Sequence, residues 1–253
     1  MREQKMPMTE HPKVVAIIQA RMGSTRLPGK VLADIDGHPM LWHVVQRTRA
    51  AKTLHEVIVA TTTEPADDAI AAFCREHKAI CFRGSEKDVL DRYYQAAREH
   101  DVQNIVRITS DCPLIDPEVV DKTVRAFWDE QPDYASNTLV RTYPRGLDTE
   151  VVTFRALELA WREARQSYQR AHVTPFLYEN PGRFRIVPVT GDHDFSDDRW
   201  TVDTPEDLEL VRAIYARFAG KEFLHRDILR LMEREPQLRE INRSIAQKAL
   251  HEG

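Results

Sequence analysis

The chain has 253 residues, of which 42% are apolar and 30% are charged. This length suits one large α/β domain, or a domain with an appendage, and the composition supports a sizeable core rather than disorder. The formal net charge is -4, and no basic face or tail emerges from the sequence. A protein that binds nucleic acid through bulk electrostatics is therefore excluded.

The chain contains three cysteines, Cys74, Cys81 and Cys112. An odd number without a Cys-x-x-Cys pair argues against a disulfide framework and a zinc knuckle, and favours free thiols in a reducing compartment. No apolar run approaches the roughly 20 residues that cross a bilayer. Residues 1–12 lack the apolar region of a secretory signal. We therefore expect a cytoplasmic protein without a membrane partner, in which residues 1–12 form a flexible arm.

The first half of the chain alternates short β-branched runs with amphipathic stretches. This alternation predicts βαβ units and a parallel sheet, in which the loops after the strands lie along one edge. Because ligands bind such sheets beyond the carboxyl ends of the strands, we expect the loops at 19–30 and 110–116 to face one crevice. The predicted strands are 14–19, 56–63, 79–82 and 104–109, and the predicted helices are 40–51, 65–77, 86–100 and 117–130.

After residue 131 the alternation becomes less regular. The segment RWTVDTPEDL (199–208) predicts a strand that ends at Asp203, followed by a helix that Thr204 caps and Pro205 begins. The tail from Lys221 is polar and is predicted to be helical. The other predicted elements are strands at 133–137, 149–154 and 183–189, a helix at 154–164, and a helix at 171–180 that Pro175 disturbs.

The loop QARMGSTRLPGK (19–30) combines small residues with three basic side chains. Small residues let backbone N–H groups approach a ligand and the cations neutralise charge, so this composition suits a polyphosphate. The loop matches neither common phosphate fingerprint. It lacks Gly-x-Gly-x-x-Gly, Gly23 and Gly29 are one residue too far apart for a P-loop, and Val31 follows Lys30. A basic surface turn is the alternative interpretation.

Two aspartates are predicted to lie just beyond strands, Asp111 in RITSDCPLIDP and Asp203 in WTVDTPEDL. A carboxylate in that position can hold a divalent cation over phosphates. Taken singly, each has a simpler interpretation, since aspartates commonly approach or cap helices. Together with the basic glycine loop, they describe a site for a metal-bound nucleoside triphosphate.

At these residues the chain resembles a known family. QARMGSTRLPGKVLADIDGHPML is similar to the signature of the CMP-sugar synthetases, the cytidylyltransferases of Kdo and sialic acids, and the Kdo enzymes also carry counterparts of Asp111 and of VDTPEDL. The spore-coat-polysaccharide type of the family shares FRGSEKDVLDRYY, SDCPLIDP, PRGLDTEV, HVTPFLYENP and RWTVDTPEDLELV. The resemblance extends from about Val14 to about Lys248.

The resemblance implies a Rossmann-like, three-layer α/β/α nucleotidyltransferase fold with a mainly parallel central sheet. It also implies an Mg²⁺-dependent enzyme in which an acceptor oxygen attacks the α-phosphate of CTP, giving a CMP-linked product and pyrophosphate. We expect a nucleotidyltransferase domain at 13–220 and a helical extension at 221–253. Within the domain, about 133–190 is expected to bind the acceptor and to form a homodimer.

The resemblance also implies roles for individual residues. Arg21, Lys30 and Asp111 are the expected catalytic residues, with Lys30 stabilising charge around the α-phosphate and the leaving pyrophosphate. Asp111 and Asp203 are expected to bind Mg²⁺. The expected nucleotide contacts are Ala20, Arg21, Gly23, Ser24, Arg26, Lys30, Arg83, Gly84, Ser85 and Ser110.

The sequence defines the acceptor substrate less closely than it defines the nucleotide. Arg145 can pair with a carboxylate or phosphate, and His172 can act as a general base, although a structural histidine is its alternative interpretation. The other expected acceptor contacts are Asp148, Glu150 and Thr174. The segment 131–200 lacks the arrangement expected for a nonulosonic acid pocket. The open alternatives are an acidic sugar, a phosphate or phosphonate acceptor, a UTP- or GTP-dependent enzyme, and a nucleotide-binding regulatory homologue without turnover.

Overall fold

A seven-stranded sheet forms the centre of the computed structural model, which describes residues 11–247. The strand order is β5-β4-β1-β6-β8-β7-β9. β1, β4, β5 and β6 are parallel, and β8 is antiparallel to both of its neighbours. The strands are β1 (Val14–Gln19), β4 (Glu56–Thr62), β5 (Ile80–Gly84), β6 (Asn104–Thr109), β7 (Tyr134–Ser136), β8 (Glu150–Thr153) and β9 (Ile186–Pro188), with a small hairpin of β2 (Asp34–Ile35) and β3 (His38–Pro39).

Helices cover both faces of the sheet, which explains why β1 is an unbroken apolar run. α1, α2 and α4 pack on one face, and α3, α5 and α7 pack on the other. The expectation of a three-layer fold with a mainly parallel sheet is confirmed. The helices are α1 (Met40–Arg49), α2 (Asp68–Glu76), α3 (Val89–Glu99), α4 (Pro117–Glu130), α5 (Phe154–Glu163), α6 (Ser167–His172), α7 (Pro175–Tyr178), α8 (Pro205–Phe218) and α9 (His225–Arg234).

The predicted strand at RWTVD is wrong. The backbone there pairs with two different segments and forms no continuous ladder, since Trp200 N–H donates to Arg145 O at 2.7 Å and Val202 N–H donates to Asp111 O at 2.8 Å. Gly146, with φ +106°, permits this close approach, because a Cβ there would lie 2.7 Å from the backbone of Trp200. The segment therefore ties the loop after β6 to the turn before β8.

Two other expectations are corrected in detail. The predicted helix at 171–180 is divided, because Val173 adopts a left-handed φ of +74° between α6 and α7. The tail beyond Lys221 contains α9 and a 3₁₀ turn at Pro236–Glu240, but no helix follows as far as residue 247. The predicted arm at 1–12 falls almost wholly outside the described residues.

The C-terminal elements form a third apolar cluster beside the sheet. Side chains of α8 and α9 pack there around the fully buried Trp200 and Leu114. His225 N–H at the start of α9 donates to Asp116 at 2.5 Å, which joins the tail to the cap of α4. Within residues 11–247, no helix has the length and apolar character to cross a membrane.

Candidate active site

The loop at 19–30 leaves the sheet at the carboxyl ends of the parallel strands. Ala20 N–H donates to Ala60 O, and Ser110 N–H donates to Gln19 O, each at 3.1 Å. Gly29 adopts a φ of +72° and donates to Met22 O at 3.2 Å, which folds the loop back on itself. A 3₁₀ turn at Lys30–Leu32 follows directly. This closure directs Lys30 towards the crevice beyond β6.

Lys30 connects the three segments that the sequence singled out. Its ammonium lies 2.9 Å from Asp203 Oδ1 and 3.3 Å from Asp111 Oδ2, and it donates to Val202 O at 2.6 Å. The expectation that the loops at 19–30 and 110–116 face one crevice is therefore confirmed. Both candidate metal ligands converge on the candidate catalytic lysine.

The charges in this cluster balance one another. Burial opposes the charge on Lys30, but Asp111 and Asp203 raise its pKa above the ordinary value. Burial likewise opposes ionisation of Asp203, but Lys30, Arg199 and Arg26 lower its pKa. Arg26 and Arg199 approach Asp203 Oδ2 at 3.0 and 2.8 Å. Asp203 is thus held as a carboxylate by three cations.

Asp111 is less enclosed than Asp203. Its side chain is 28% exposed, against 15% for Asp203, and its one ion pair among the described residues is with Lys30. Cys112 Sγ lies 3.5 Å from Asp111 Oδ1, and burial with the nearby Asp111 charge raises the pKa of that thiol. The Asp111 carboxylate is therefore accessible enough to bind a cation.

A buried hydrogen-bond network holds Asp203 from behind, and sequence reasoning missed it. Arg199 Nε donates to Asp207 Oδ1 at 2.9 Å, while Asp207 Oδ2 accepts from Asp203 N–H at 2.9 Å. Asn242 Nδ2 donates to Asp207 Oδ1 and to Arg199 O, each at 2.9 Å. The motif VDTPEDL offered a signal for Asp207, which completes the capping box of α8 with Thr204. No sequence signal pointed to Asn242, because it lies 35 residues from its partner.

Replacing Asn242 with Ala is expected to lower activity through this network. The variant removes two donors from buried acceptors, so we expect a cost of about 1–3 kcal/mol in the free energy of unfolding. Arg199 would also lose the hydrogen bond that Asn242 donates to its carbonyl. Since Arg199 in turn binds Asp203, we expect the Asp203 side chain to be held less firmly. Thermal denaturation and kcat measured with the exposed Arg243→Ala variant as control check this. Unchanged stability and kcat would show that the network does not position Asp203.

The remaining expected nucleotide contacts differ in how many of their polar groups are already bonded within the chain. Arg21 and Gly23 are exposed, and Ser24 Oγ accepts from Leu27 N–H at 3.4 Å. Arg83 is engaged within the chain, because it pairs with Asp68 at 2.7 Å and donates to Thr62 O at 2.8 Å. Ser85 Oγ accepts from Asp88 N–H at 3.1 Å, and Thr63 N–H donates to Gly84 O at 3.0 Å.

The structure places four of the expected acceptor residues in three different environments. Glu150 and Thr174 face inward, where Thr174 Oγ1 donates to Glu150 at 2.6 Å and Arg107 pairs with the same carboxylate. Asp148 forms a bidentate pair with Arg141 at 2.6 and 2.9 Å. His172 ends α6 and is half-buried.

Arg145 differs from the other acceptor candidates. It is half-buried, and its guanidinium makes no ion pair or hydrogen bond with any side chain in the described part of the chain. Burial lowers its pKa, and repulsion from Arg141 and Arg199 lowers it further, while the Asp148 carboxylate acts in the opposite direction. An anionic group would relieve that repulsion, so Arg145 has the chemistry of an anion contact.

The carboxylates fit a magnesium ion that arrives with phosphates. Mg²⁺ is commonly bound by one or two carboxylates together with substrate phosphates and waters, and Asp111 and Asp203 already converge within 3.3 Å of one ammonium. Residues 11–247 contain no cluster of three or more His, Cys, Asp or Glu side chains that could hold an ion unaided. Asp111 and Asp203 are therefore a donor set that fits a cation carried by a nucleotide.

A parallel sheet with a basic glycine loop and two carboxylates at one edge is typical of enzymes that act on nucleoside triphosphates. The family model described as cytidylyltransferase matches residues 15–237. The chain therefore belongs to the cytidylyltransferase family.

Individual relatives agree with this assignment. The spore coat polysaccharide biosynthesis protein SpsF of Bacillus subtilis is 32% identical over 231 residues, which are 88% of this chain and 95% of the relative. A 3-deoxy-manno-octulosonate cytidylyltransferase of Brucella ovis is 38% identical over 133 residues, about half of each chain (51% and 52%). The structure of a cytidylyltransferase from Leptospira borgpetersenii superposes with a TM-score of 0.87 at 34% identity, covering 94% of this chain and 100% of that one. These findings confirm the resemblance to the Kdo and spore-coat types.

Proposed function

We propose that this protein transfers CMP from CTP to an acidic sugar or a related precursor of a surface polysaccharide and releases pyrophosphate. The observation that carries the proposal is the convergence of Asp111, Asp203 and Val202 O on the ammonium of Lys30. The names of the relatives support the acceptor class, since one is a spore coat polysaccharide biosynthesis protein and another is a 3-deoxy-manno-octulosonate cytidylyltransferase.

In the proposed reaction, the first loop holds the triphosphate. Arg21 is exposed at the crevice, and Arg26 and Lys30 already lie beside the carboxylates. Phosphoryl transfer depends mainly on positioning and charge neutralisation. Lys30 supplies positive charge at the α-phosphate and the leaving pyrophosphate, and Arg21 and Arg26 hold the remaining phosphate oxygens. The backbone of Ala20, Gly23 and Ser24 and the turn at 83–85 complete the proposed nucleotide contacts, with Ser110 at the end of β6.

Asp111 and Asp203 are the proposed ligands of Mg²⁺. When bound, the ion neutralises phosphate charge and orients the nucleophile. Lys30 pairs with both carboxylates in the described structure. Because its ammonium would turn towards the phosphates, we expect at least one of these ion pairs to break when the nucleotide binds. Asp111 is the more readily released, because its contact with Lys30 is the longer and its carboxylate is the more exposed to solvent.

Arg145 is the proposed contact for the acidic group of the acceptor, since no side chain in the described range pairs with it. This chemistry suits a carboxylate and a phosphate or phosphonate alike. His172 is the proposed general base, and Asp148, Glu150 and Thr174 are proposed to shape the pocket. We further infer a cytoplasmic homodimer formed through about 133–190, an inference that rests on the family resemblance.

Thermal denaturation with nucleoside triphosphates is the first test of the proposal. A ligand that binds only the folded state raises the melting temperature, so CTP with Mg²⁺ is expected to raise it, whereas UTP, GTP and ATP are not. Pyrophosphate release across a panel of sugar acids, sugar phosphates and phosphonates then identifies the acceptor. A shift with another nucleotide would contradict the choice of base. Binding of CTP without turnover on any acceptor would favour a regulatory homologue.

A further inference from the structure

Cys74 and Cys81 lie side by side where α2 packs on β5. Cys74 is on the buried face of α2 and is fully buried, whereas Cys81 is half-buried. Side chains alternate along β5, so Ile80 and Phe82 pack on one face of the sheet and Cys81 on the other, beneath α2. Cys74 O accepts from Ala79 N–H at 2.8 Å, which returns the chain from α2 to β5. The fold therefore brings two free thiols together.

The surroundings of Cys81 favour a reactive thiol. A hydrogen bond with the Cys74 thiol lowers the pKa of Cys81, although burial acts in the opposite direction. Arg83 and Arg75 lower that pKa further. The same hydrogen bond and burial raise the pKa of Cys74. Partial exposure and nearby cations distinguish reactive cysteines from inert ones, so Cys81 is the thiol that would react first with an oxidant.

The two elements that carry these thiols are already linked at one end. β5 ends the described sheet and pairs with β4. Arg83, two residues beyond Cys81 on the same face of β5, pairs with Asp68 at the start of α2 at 2.7 Å. Cys74 lies near the other end of α2. A disulfide between Cys74 and Cys81 would therefore fasten α2 to the edge strand at a second point.

We propose that Cys81 and Cys74 form a reversible oxidation site, in which Cys81 reacts with a peroxide and Cys74 then closes a disulfide between α2 and β5. This site goes beyond the proposed function and does not depend on it. Disulfides in reducing compartments are usually transient and sense or transfer oxidising equivalents. The contact between a half-buried thiol and a fully buried one suits that behaviour, because the first is accessible to the oxidant and the second is protected from it.

The chemistry balances with hydrogen peroxide as the oxidant. The Cys81 sulfur attacks the peroxide, the O–O bond breaks, and a sulfenic acid and one water form. The sulfenic acid is neutral, so it no longer opposes ionisation of Cys74 as the Cys81 thiolate does. The Cys74 sulfur then attacks the Cys81 sulfur, an S–S bond replaces the S–O bond, and a second water leaves. A dithiol restores both thiols by exchange.

Peptide mapping of the folded chain after treatment with hydrogen peroxide tests the proposal. Free thiols are blocked with N-ethylmaleimide before digestion. Trypsin cleaves after Arg75 and Lys78. The peptides that contain Cys74 and Cys81 therefore separate unless a disulfide joins them. We expect one joined species, which dithiothreitol separates, while Cys112, which is 2% exposed, stays a free thiol and reacts slower than Cys81 on the order of tenfold or more.

Single substitutions separate the roles of the two thiols. Cys74→Ser keeps a hydrogen-bond donor beside Cys81 but cannot form the disulfide, so we expect a sulfenic acid that dimedone traps. Cys81→Ser is expected to leave the other two thiols unoxidised at the same dose of peroxide, and it decides the matter if Cys74→Ser fails to fold. The matched control is Cys112→Ser, which is expected to form the disulfide as the wild type does.

Three results would overturn the proposal. One is oxidation of Cys112 before Cys81, another is a disulfide between two chains, and the third is retention of all three thiols until the protein unfolds. A wild-type sulfenic acid at Cys81 that persists without a disulfide would remove Cys74 from its role. Because no nucleotide is present in these experiments, their outcome is separate from that of the CTP-binding test.

Discussion

Replacing Asp111 with Asn is expected to lower kcat/KM by on the order of 10²- to 10³-fold while leaving the fold intact. The amide keeps the size of the side chain but loses the charge that holds Lys30 at 3.3 Å and that would bind Mg²⁺. The fold should be preserved because the Asp111 backbone carbonyl, which accepts from Val202 N–H at 2.8 Å, is unchanged. Pyrophosphate release measured against Mg²⁺ concentration checks this, with a raised requirement for Mg²⁺ as the specific signature.

The control for this prediction is Asp129→Asn, which neutralises an exposed aspartate on α4. It is expected to retain full activity and an unchanged dependence on Mg²⁺. An Asp111→Asn enzyme with normal activity at low Mg²⁺ would remove Asp111 from metal binding. A large drop in melting temperature would instead indicate that the pairing with Lys30 serves mainly the fold.

The sequence predicted the elements whose signals are local. The helix predicted at 117–130 is observed at Pro117–Glu130, because Asp116 caps it by accepting from Glu118 N–H at 2.8 Å and Pro117 begins it. The strand predicted at RWTVD failed because its local pattern did not reveal two separate backbone partners. Local composition thus specifies an element only where its hydrogen-bond partners also lie nearby or follow from the sheet.

The site was predicted in outline but not in its supporting contacts. Sheet topology was sufficient to bring Lys30 and Asp111 to one edge, although they lie 81 residues apart. It could not reveal that Arg199 and Asn242 hold Asp203 from behind. Those contacts depend on how side chains from distant segments pack, and no motif or period encodes them.

Replacing Glu150 with Gln is expected to cost about 3–5 kcal/mol in the free energy of unfolding. Glu150 is 5% exposed, accepts from Tyr134 Oη at 2.5 Å and from Thr174 Oγ1 at 2.6 Å, and pairs with Arg107. Burial alone would lower the pKa of Arg107, but the Glu150 carboxylate raises it instead. The amide would therefore leave a largely buried guanidinium without its counter-charge. Chemical denaturation of the variant measures this cost.

Two comparisons separate a structural Glu150 from one that binds the acceptor. Glu209→Gln, on the exposed face of α8, is expected to change stability by no more than about 0.5 kcal/mol. A double variant, Arg107→Met with Glu150→Leu, is expected to recover part of the lost stability, because it removes both charges together. If Glu150→Gln were instead as stable as the wild type and had a raised KM for the acceptor alone, the carboxylate would act on the substrate. Stability and acceptor KM, measured on the same preparations, therefore distinguish these roles directly.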